Sequence, residues 1–196
     1  MATHRNLRDR IVDDALALAE ETHWEHVRLH DVAARLGITL NDIRTHFREK
    51  EDLTDAWFDR ADAAMLARAE APDFAALPAR ERIAALIMAW LEALAPHRKA
   101  TRQMILGKLE FGHVHIQIPG VMRISRTVQW VREAAGRKAG FARRALEETG
   151  LTTIYLMTFV RWMNDDSPGA EHTRRFLEQR LVCAERLDRA VWRERA

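Results

Sequence analysis

Four groups of side chains in this sequence stand at spacings that chemistry can use. Leu40, Asn41, Arg44 and Thr45 fall within LHDVAARLGITLNDIRTHF, residues 29–47. These residue types read base edges: asparagine and arginine make paired hydrogen bonds to adenine and guanine, and a leucine or threonine methyl meets the thymine methyl. His113 and His115 form a His-x-His pair, which ligates a metal only if a third donor converges on it and otherwise reads as two exposed histidines. Asp165 and Asp166 have the chemistry of an acid–base pair, but at a helix junction they read as capping residues. Cys183 is the single cysteine, read as a passive thiol on a helix, and it rules out an internal disulfide framework. No nucleophile elbow, Walker loop, dinucleotide fingerprint or zinc-binding helix motif occurs, and GRKAG at 136–140 lacks the Lys-Ser or Lys-Thr of a phosphate loop. The reading is a non-enzyme with no cofactor and no metal.

For Asn41 and Arg44 to reach a base, a helix must hold them outward, and the preceding residues supply one. Val32, Leu36, Ile38 and Ile43 recur as an inward apolar set, and Ala33 is small where two helices cross. Gly37 can adopt the left-handed conformation that ends a helix. Thr39 and Asp42 then make a Thr-x-x-Asp capping box, which predicts a second helix over 39–46. Such a helix-turn-helix presents the first turns of its second helix to the major groove. Thr39 and His46 complete the DNA-facing set at its two ends. Arg28 and His30, Arg48, and Lys50 with the free amides of the following helix are phosphate candidates. Residues 1–50 hold eight Lys and Arg against nine Asp and Glu, so DNA binding requires charge segregated to one face and a dimer.

The rest of the chain keeps a helical period. Ile11, Ala15 and Leu18 mark one face of a first helix, and later helices are predicted at about 51–70, 79–94, 97–110, 119–135, 138–164 and 168–193. APDFAALP, residues 71–78, loses the period between two prolines and reads as a linker. The fold class is all-α: an N-terminal three-helix helix-turn-helix module over 1–50, a connecting helix over 51–70, and a larger ligand-binding and dimerisation body over 71–196. Within 196 residues, 47% hydrophobic content suffices for a core, and a net charge of +2 excludes a basic nucleic-acid tail. The start MATHRNLRDR is too charged for a signal peptide, and LTTIYLMTFV at 151–160 is too short to span a bilayer, so the chain reads as cytoplasmic with no transmembrane segment.

Ser167, Pro168 and Glu171 signal the start of the last helix, which makes the two long C-terminal helices antiparallel. Leu177, Leu181, Ala184 and Val191 on one side can complete a four-helix bundle with a second subunit, giving a homodimer. Met88, Trp90, Met104, Phe111, Met122, Trp130 and Phe159, with the polar Gln129 and Tyr155, suit an adaptable pocket for an unidentified small apolar ligand.

The run WEHVRLHDVAARLGIT from Trp24, followed by HFREKEDL, resembles the DNA-binding region of the tetracycline-repressor (TetR) family over residues 10–66. His46, Phe47, Lys50 and Leu53 match that family's His-Phe-x-x-Lys-x-x-Leu. His23 stands where the family has glycine before an aromatic, and Arg44 stands in place of its usual DNA-contacting tyrosine. The resemblance implies a transcriptional regulator, of repressor type, that binds a palindromic double-stranded DNA operator as a dimer and releases it when a ligand enters the body. YLMTFVRWMNDDSPGAEHTRRFLEQRL, residues 155–181, is similar to the end of a ubiquinone-biosynthesis lipid-binding family with a TetR-like fold. That similarity implies the alternative, a lipid or isoprenoid carrier with no role on DNA.

Overall fold

Helical periodicity governs the whole described chain. The structure is a computed structural model that describes residues 6–109, 114–137 and 140–193, and gives the backbone alone at 108–109, 114–122, 141–142 and 192–193. The helices are α1 (Leu7–Glu21), α2 (Leu29–Leu36), α3 (Leu40–Arg44), α4 (Lys50–Ala69), α5 (Ala79–Leu94), α6 (Arg98–Leu109), α7 (Val114–Ala134), α8 (Phe141–Trp162) and α9 (Glu171–Arg193). No strand occurs among the described residues. No helix among them is long and apolar enough to cross a membrane.

The chain divides into two compact units. One takes Met1–Ala61 and Leu94–Gln117, the other Asp62–Ala93 and Ile118–Ala196. This differs from a division at 70/71: α6 groups with the N-terminal helices, and α4 contributes residues to both units. Long-range bonds within the first unit account for the difference. Gln103 on α6 accepts the Trp24 amide at 2.8 Å, Trp57 on α4 donates its indole N–H to the Thr101 hydroxyl at 2.9 Å, and the Lys99 ammonium reaches the Glu20 carbonyl at 2.7 Å. None of these pairs repeats along the chain, so no periodicity announces them.

In the first unit α1 buries Ile11, Val12, Ala15, Leu16 and Ala19, a stripe in which Leu18 is only half-buried. Asn6 caps α1 by accepting the Asp9 amide at 2.8 Å. In the second unit the segment 71–78 is an anchored turn rather than a free linker. Phe74 is buried in a 3-10 turn under the Arg68 guanidinium, which also pairs with Asp73 at 2.7 Å.

The junction between α8 and α9 turns on Asp165. Its buried carboxylate accepts the amide and hydroxyl of Ser167 at 2.9 and 2.6 Å and those of Thr173 at 2.7 and 2.6 Å. Ser167 and Pro168 start a 3-10 turn, and α9 itself begins at Glu171. Gly169 and Ala170 lie at φ 61° and 53°, a left-handed pair that is unfavourable for alanine. The bonds to Asp165 hold that corner closed.

Candidate nucleic-acid interface

The helix-turn-helix is built by local chemistry. Gly37 sits at φ 65° and closes α2 with its amide on the Ala34 carbonyl, while the Ile38 amide reaches the Ala33 carbonyl at 3.0 Å. A Cβ at Gly37 would meet no atom within 4 Å, so the backbone angle alone demands glycine there. Thr39 and Asp42 form the full capping box, with the Asp42 amide on the threonine hydroxyl at 3.1 Å and the Thr39 amide on the carboxylate at 2.8 Å. These bonds hold the Asp42 carboxyl below the usual carboxylate range. Val32, Ala33 and Ile43 are buried, whereas Leu36 and Ile38 are only half-buried.

One buried position per turn leaves the remaining side of α3 in solvent. Leu40 is 53% exposed, and Asn41, Arg44, Thr45 and His46 are exposed beside it. No hydrogen bond or ion pair within the described residues engages the Asn41 or Arg44 side chain. The Thr45 hydroxyl is already committed to the Asp42 carbonyl at 2.7 Å, and Thr39 to its cap. Arg28, His30 and Arg48 are exposed; Arg28 donates to the Glu25 carbonyl at 2.6 Å and His30 lies 3.2 Å from Asp31.

The acidic excess read from the first 50 residues is absorbed away from this surface. Arg35 pairs with Asp14 at 3.1 Å and Glu21 at 2.7 Å, Arg60 pairs with Asp9 at 3.0 Å and Asp13 at 2.6 Å, and Asp42 is consumed as a cap. The cations near α3 are thereby left without an acidic balance of equal size.

Lys50 is where the structure corrects the phosphate reading. Its half-buried ammonium donates to the Trp24 carbonyl and, at 3.3 Å, to that of Glu25, and it stands 4.9 Å over the Trp24 ring. Burial, and then the nearby Arg28 charge, lower its pKa. The amides before α4 are not free either, since those of Arg48 and Glu49 point to the Asp52 carboxylate at 2.7 and 3.4 Å. Lys50 therefore fastens the 3-10 turn Trp24–His26 to the start of α4. Lys50→Ala is expected to lower folding stability by about 1.5–3 kcal/mol, the usual loss for a charged hydrogen-bond donor, while leaving the salt dependence of DNA binding unchanged. Urea unfolding and binding at several salt concentrations would check both halves.

His23 explains itself through its backbone. It lies at φ −163°, extended and open to any residue, and its ring accepts the Glu25 amide at 3.3 Å. Glycine is not needed at this point of the chain.

The comparisons with known proteins agree with this geometry. A TetR transcriptional regulator from Nitrosomonas europaea ATCC 19718, known as a crystal structure, is 59% identical, with a TM-score of 0.83 over 91% of this chain and 98% of that one. The chain belongs to the TetR family of transcriptional regulators. A TetR transcriptional regulator from Rhodococcus sp. RHA1 shares the fold at 19% identity, with a TM-score of 0.63 over 89% of this chain and 96% of that one. The COQ9 family model matches residues 141–188, which cover α8 and most of α9 and leave the helix-turn-helix outside. No curated protein matches.

In this TetR-family regulator the residues expected to line a ligand pocket do not form one set. Met88, Trp90, Tyr155 and Phe159 are buried in the second unit, where Trp90 stands edge-on to Tyr155 at 5.3 Å and to Phe159 at 5.5 Å. Asp62, which the sequence reading passed over, collects the Trp90 indole N–H at 2.7 Å, the Thr127 hydroxyl at 3.0 Å and the Arg123 guanidinium at 3.2 Å. Burial, and then the Asp62 charge, push the Tyr155 hydroxyl well above its usual pKa. Met104 belongs to the other unit, and Gln129 and Trp130 are exposed. Phe111 and His113, and the side chains of Met122 and His115, lie outside the described residues.

The expected dimer face is also divided. Leu177 and Leu181 are buried within the subunit, Ala184 is half-buried, and only Val191 is exposed. The apolar residues left in solvent on these two helices are Leu146, Leu156, Met157 and Val160 on α8 and Leu187 and Val191 on α9. Helix α9 carries two apolar faces, and packing on α8 within the subunit takes the one with Leu177 and Leu181. Cys183 is exposed on α9.

Proposed function

We propose that this protein is a ligand-responsive transcriptional repressor that binds a palindromic double-stranded DNA operator as a homodimer. The observation that carries the reading is α3. A capped helix after a left-handed glycine holds Leu40, Asn41 and Arg44 in solvent, and the Asn41 and Arg44 side chains have no hydrogen-bond or ion-pair partner among the described residues. A helical corner serving packing alone has no use for two unengaged side chains of base-reading type, and a lipid carrier has none either. Arg28, Arg48, His30 and His46 would contact phosphates at the edges of the groove and fix the register.

Two copies are needed because one five-residue helix reads few base pairs. Dimerisation through the exposed faces of α8 and α9 would place the two α3 helices on successive major grooves, about 34 Å apart for half-sites one turn apart. Ligand in the second unit would favour a dimer state in which that spacing is lost.

The experiment is a selection from random duplex DNA followed by titration of the best sequence. A palindrome is expected, and Arg44→Ala should cost about 1–3 kcal/mol on it and relax preference at one position in each half-site. No sequence preference in the selection would reject the reading. Equal losses on cognate and random DNA would move Arg44 to the phosphate set.

A further inference from the structure

In the second unit, α5, α7, α8 and α9 enclose a groove of about 640 Å³, inside the range of roughly 300–1,000 Å³ typical of small-molecule sites. Its apolar wall includes Ile83, Leu151, Ile154 and Leu181. Its charge is one-sided, with five lining arginines against the carboxylates of Glu147, Glu185 and Asp188. Three of those arginines converge on one carboxylate: Arg137 pairs with Glu147, Arg143 lies at 3.4 Å and Arg132 at 3.8 Å.

Arg132 is the informative member. It is 3% exposed, and its Nη1 meets Glu148 at 2.6 Å. Its Nε has no hydrogen-bond partner among the described residues, and the same holds for Oε2 of Glu147. A buried guanidinium N–H left unsatisfied costs folding energy unless something else accepts from it. The second observation is Gly150, in the interior of α8 on the groove wall. A Cβ there would meet nothing within 4 Å, so packing does not require glycine, although glycine costs a helix interior about 1 kcal/mol relative to alanine. Both features open space and a hydrogen-bond donor onto the same groove.

We propose that the groove binds an amphipathic anion, an acyl chain bearing a carboxylate, with the chain on Ile83, Leu151 and Ile154 and the carboxylate taken by Arg132 and Arg137. Apolar wall and cationic end together select this class. A neutral hydrocarbon would leave the excess guanidinium charge without an added partner, and a small anion would leave the apolar wall wet. Binding stands on the groove alone; its action on DNA rests on the reading of the protein as a ligand-responsive repressor.

The test uses the full chain, with sodium decanoate as probe below its micelle concentration and calorimetry as readout. Decanoate should bind, while acetate and decyltrimethylammonium, which lack the chain and the negative charge respectively, should bind at least about tenfold more weakly, a gap of about 1.4 kcal/mol. Gly150→Leu should fill the groove and weaken decanoate about tenfold or more, since four added carbons occupy space where each buried methylene of the probe is worth about 0.8 kcal/mol. Its melting temperature without probe should hold or rise, because leucine is the better helix former. Arg137→Gln, at a partly exposed position, should weaken decanoate and leave decyltrimethylammonium unchanged. Equal binding of the two amphiphiles, or undiminished decanoate binding by Gly150→Leu, would overturn the proposal. So would a Gly150→Leu protein that is monomeric where the parent is dimeric, because the groove would then belong to the second subunit. Decanoate binding that leaves operator affinity unchanged would keep the site and reject only the ligand response.

Discussion

Val160→Arg is expected to yield a folded monomer that has lost tight operator binding. Val160 is 55% exposed and shares the outer side of α8 with Leu156 and Met157, while Phe176 on α9 lies half-buried beneath the Arg161 and Arg180 guanidiniums. The Val160 side chain is largely in water within one subunit, so the arginine should cost little folding energy there. In a symmetric interface each substitution appears twice, and each unpaired guanidinium taken out of water costs several kcal/mol. Sedimentation velocity should give the monomer mass at concentrations where the parent is a dimer, with unchanged helical circular dichroism. Operator affinity should fall by about 100-fold or more, because linking two half-site contacts raises affinity by about that factor without any new contact. A variant that sediments as a dimer would remove this part of α8 from the interface.

Asp165→Ala is expected to be the most destabilising single substitution of those considered, at about 3 kcal/mol. It removes the acceptor of four hydrogen bonds, leaves the buried Thr173 amide and hydroxyl without partners, and releases the left-handed pair Gly169–Ala170. Hydrogen bonds to a charged acceptor are worth about 1.5–3 kcal/mol each but do not add fully within one cluster. Titration should report the same residue. Burial alone would raise the Asp165 pKa, but the hydroxyls and amides of Ser167 and Thr173 outweigh it and hold the carboxyl well below its ordinary value. A carboxyl depressed in the folded state stabilises the protein above its unfolded pKa of about 3.9. That contribution is lost as pH falls below about 4 toward the folded value. Urea unfolding between pH 7 and pH 3 should show a steeper loss for the parent than for Asp165→Asn. Parallel curves would mean that Asp165 does not carry the acid sensitivity.

The sequence by itself determined everything that depends on neighbours a few residues apart. Gly37, the Thr39–Asp42 box and the inward Ile43 fix the helix-turn-helix, because a positive φ, a cap and a helical phase are local properties. The same holds for the all-α class and for the helix boundaries, which fall within a few residues of those predicted. Tertiary structure decided which apolar face of a helix is spent inside the subunit. Helix α9 offers Leu177 and Leu181 on one side and Leu187 and Val191 on another, with chemistry too similar for periodicity to rank, and contact with α8 chose. It also decided the use of long side chains. Lys50 can reach a phosphate or two carbonyls 25 and 26 residues away, and the position of Trp24 settled it. Asp62, Gln103 and Arg132 carry no local signal either, because each acts through partners 16 to 79 residues distant that only the packed chain brings within hydrogen-bond range.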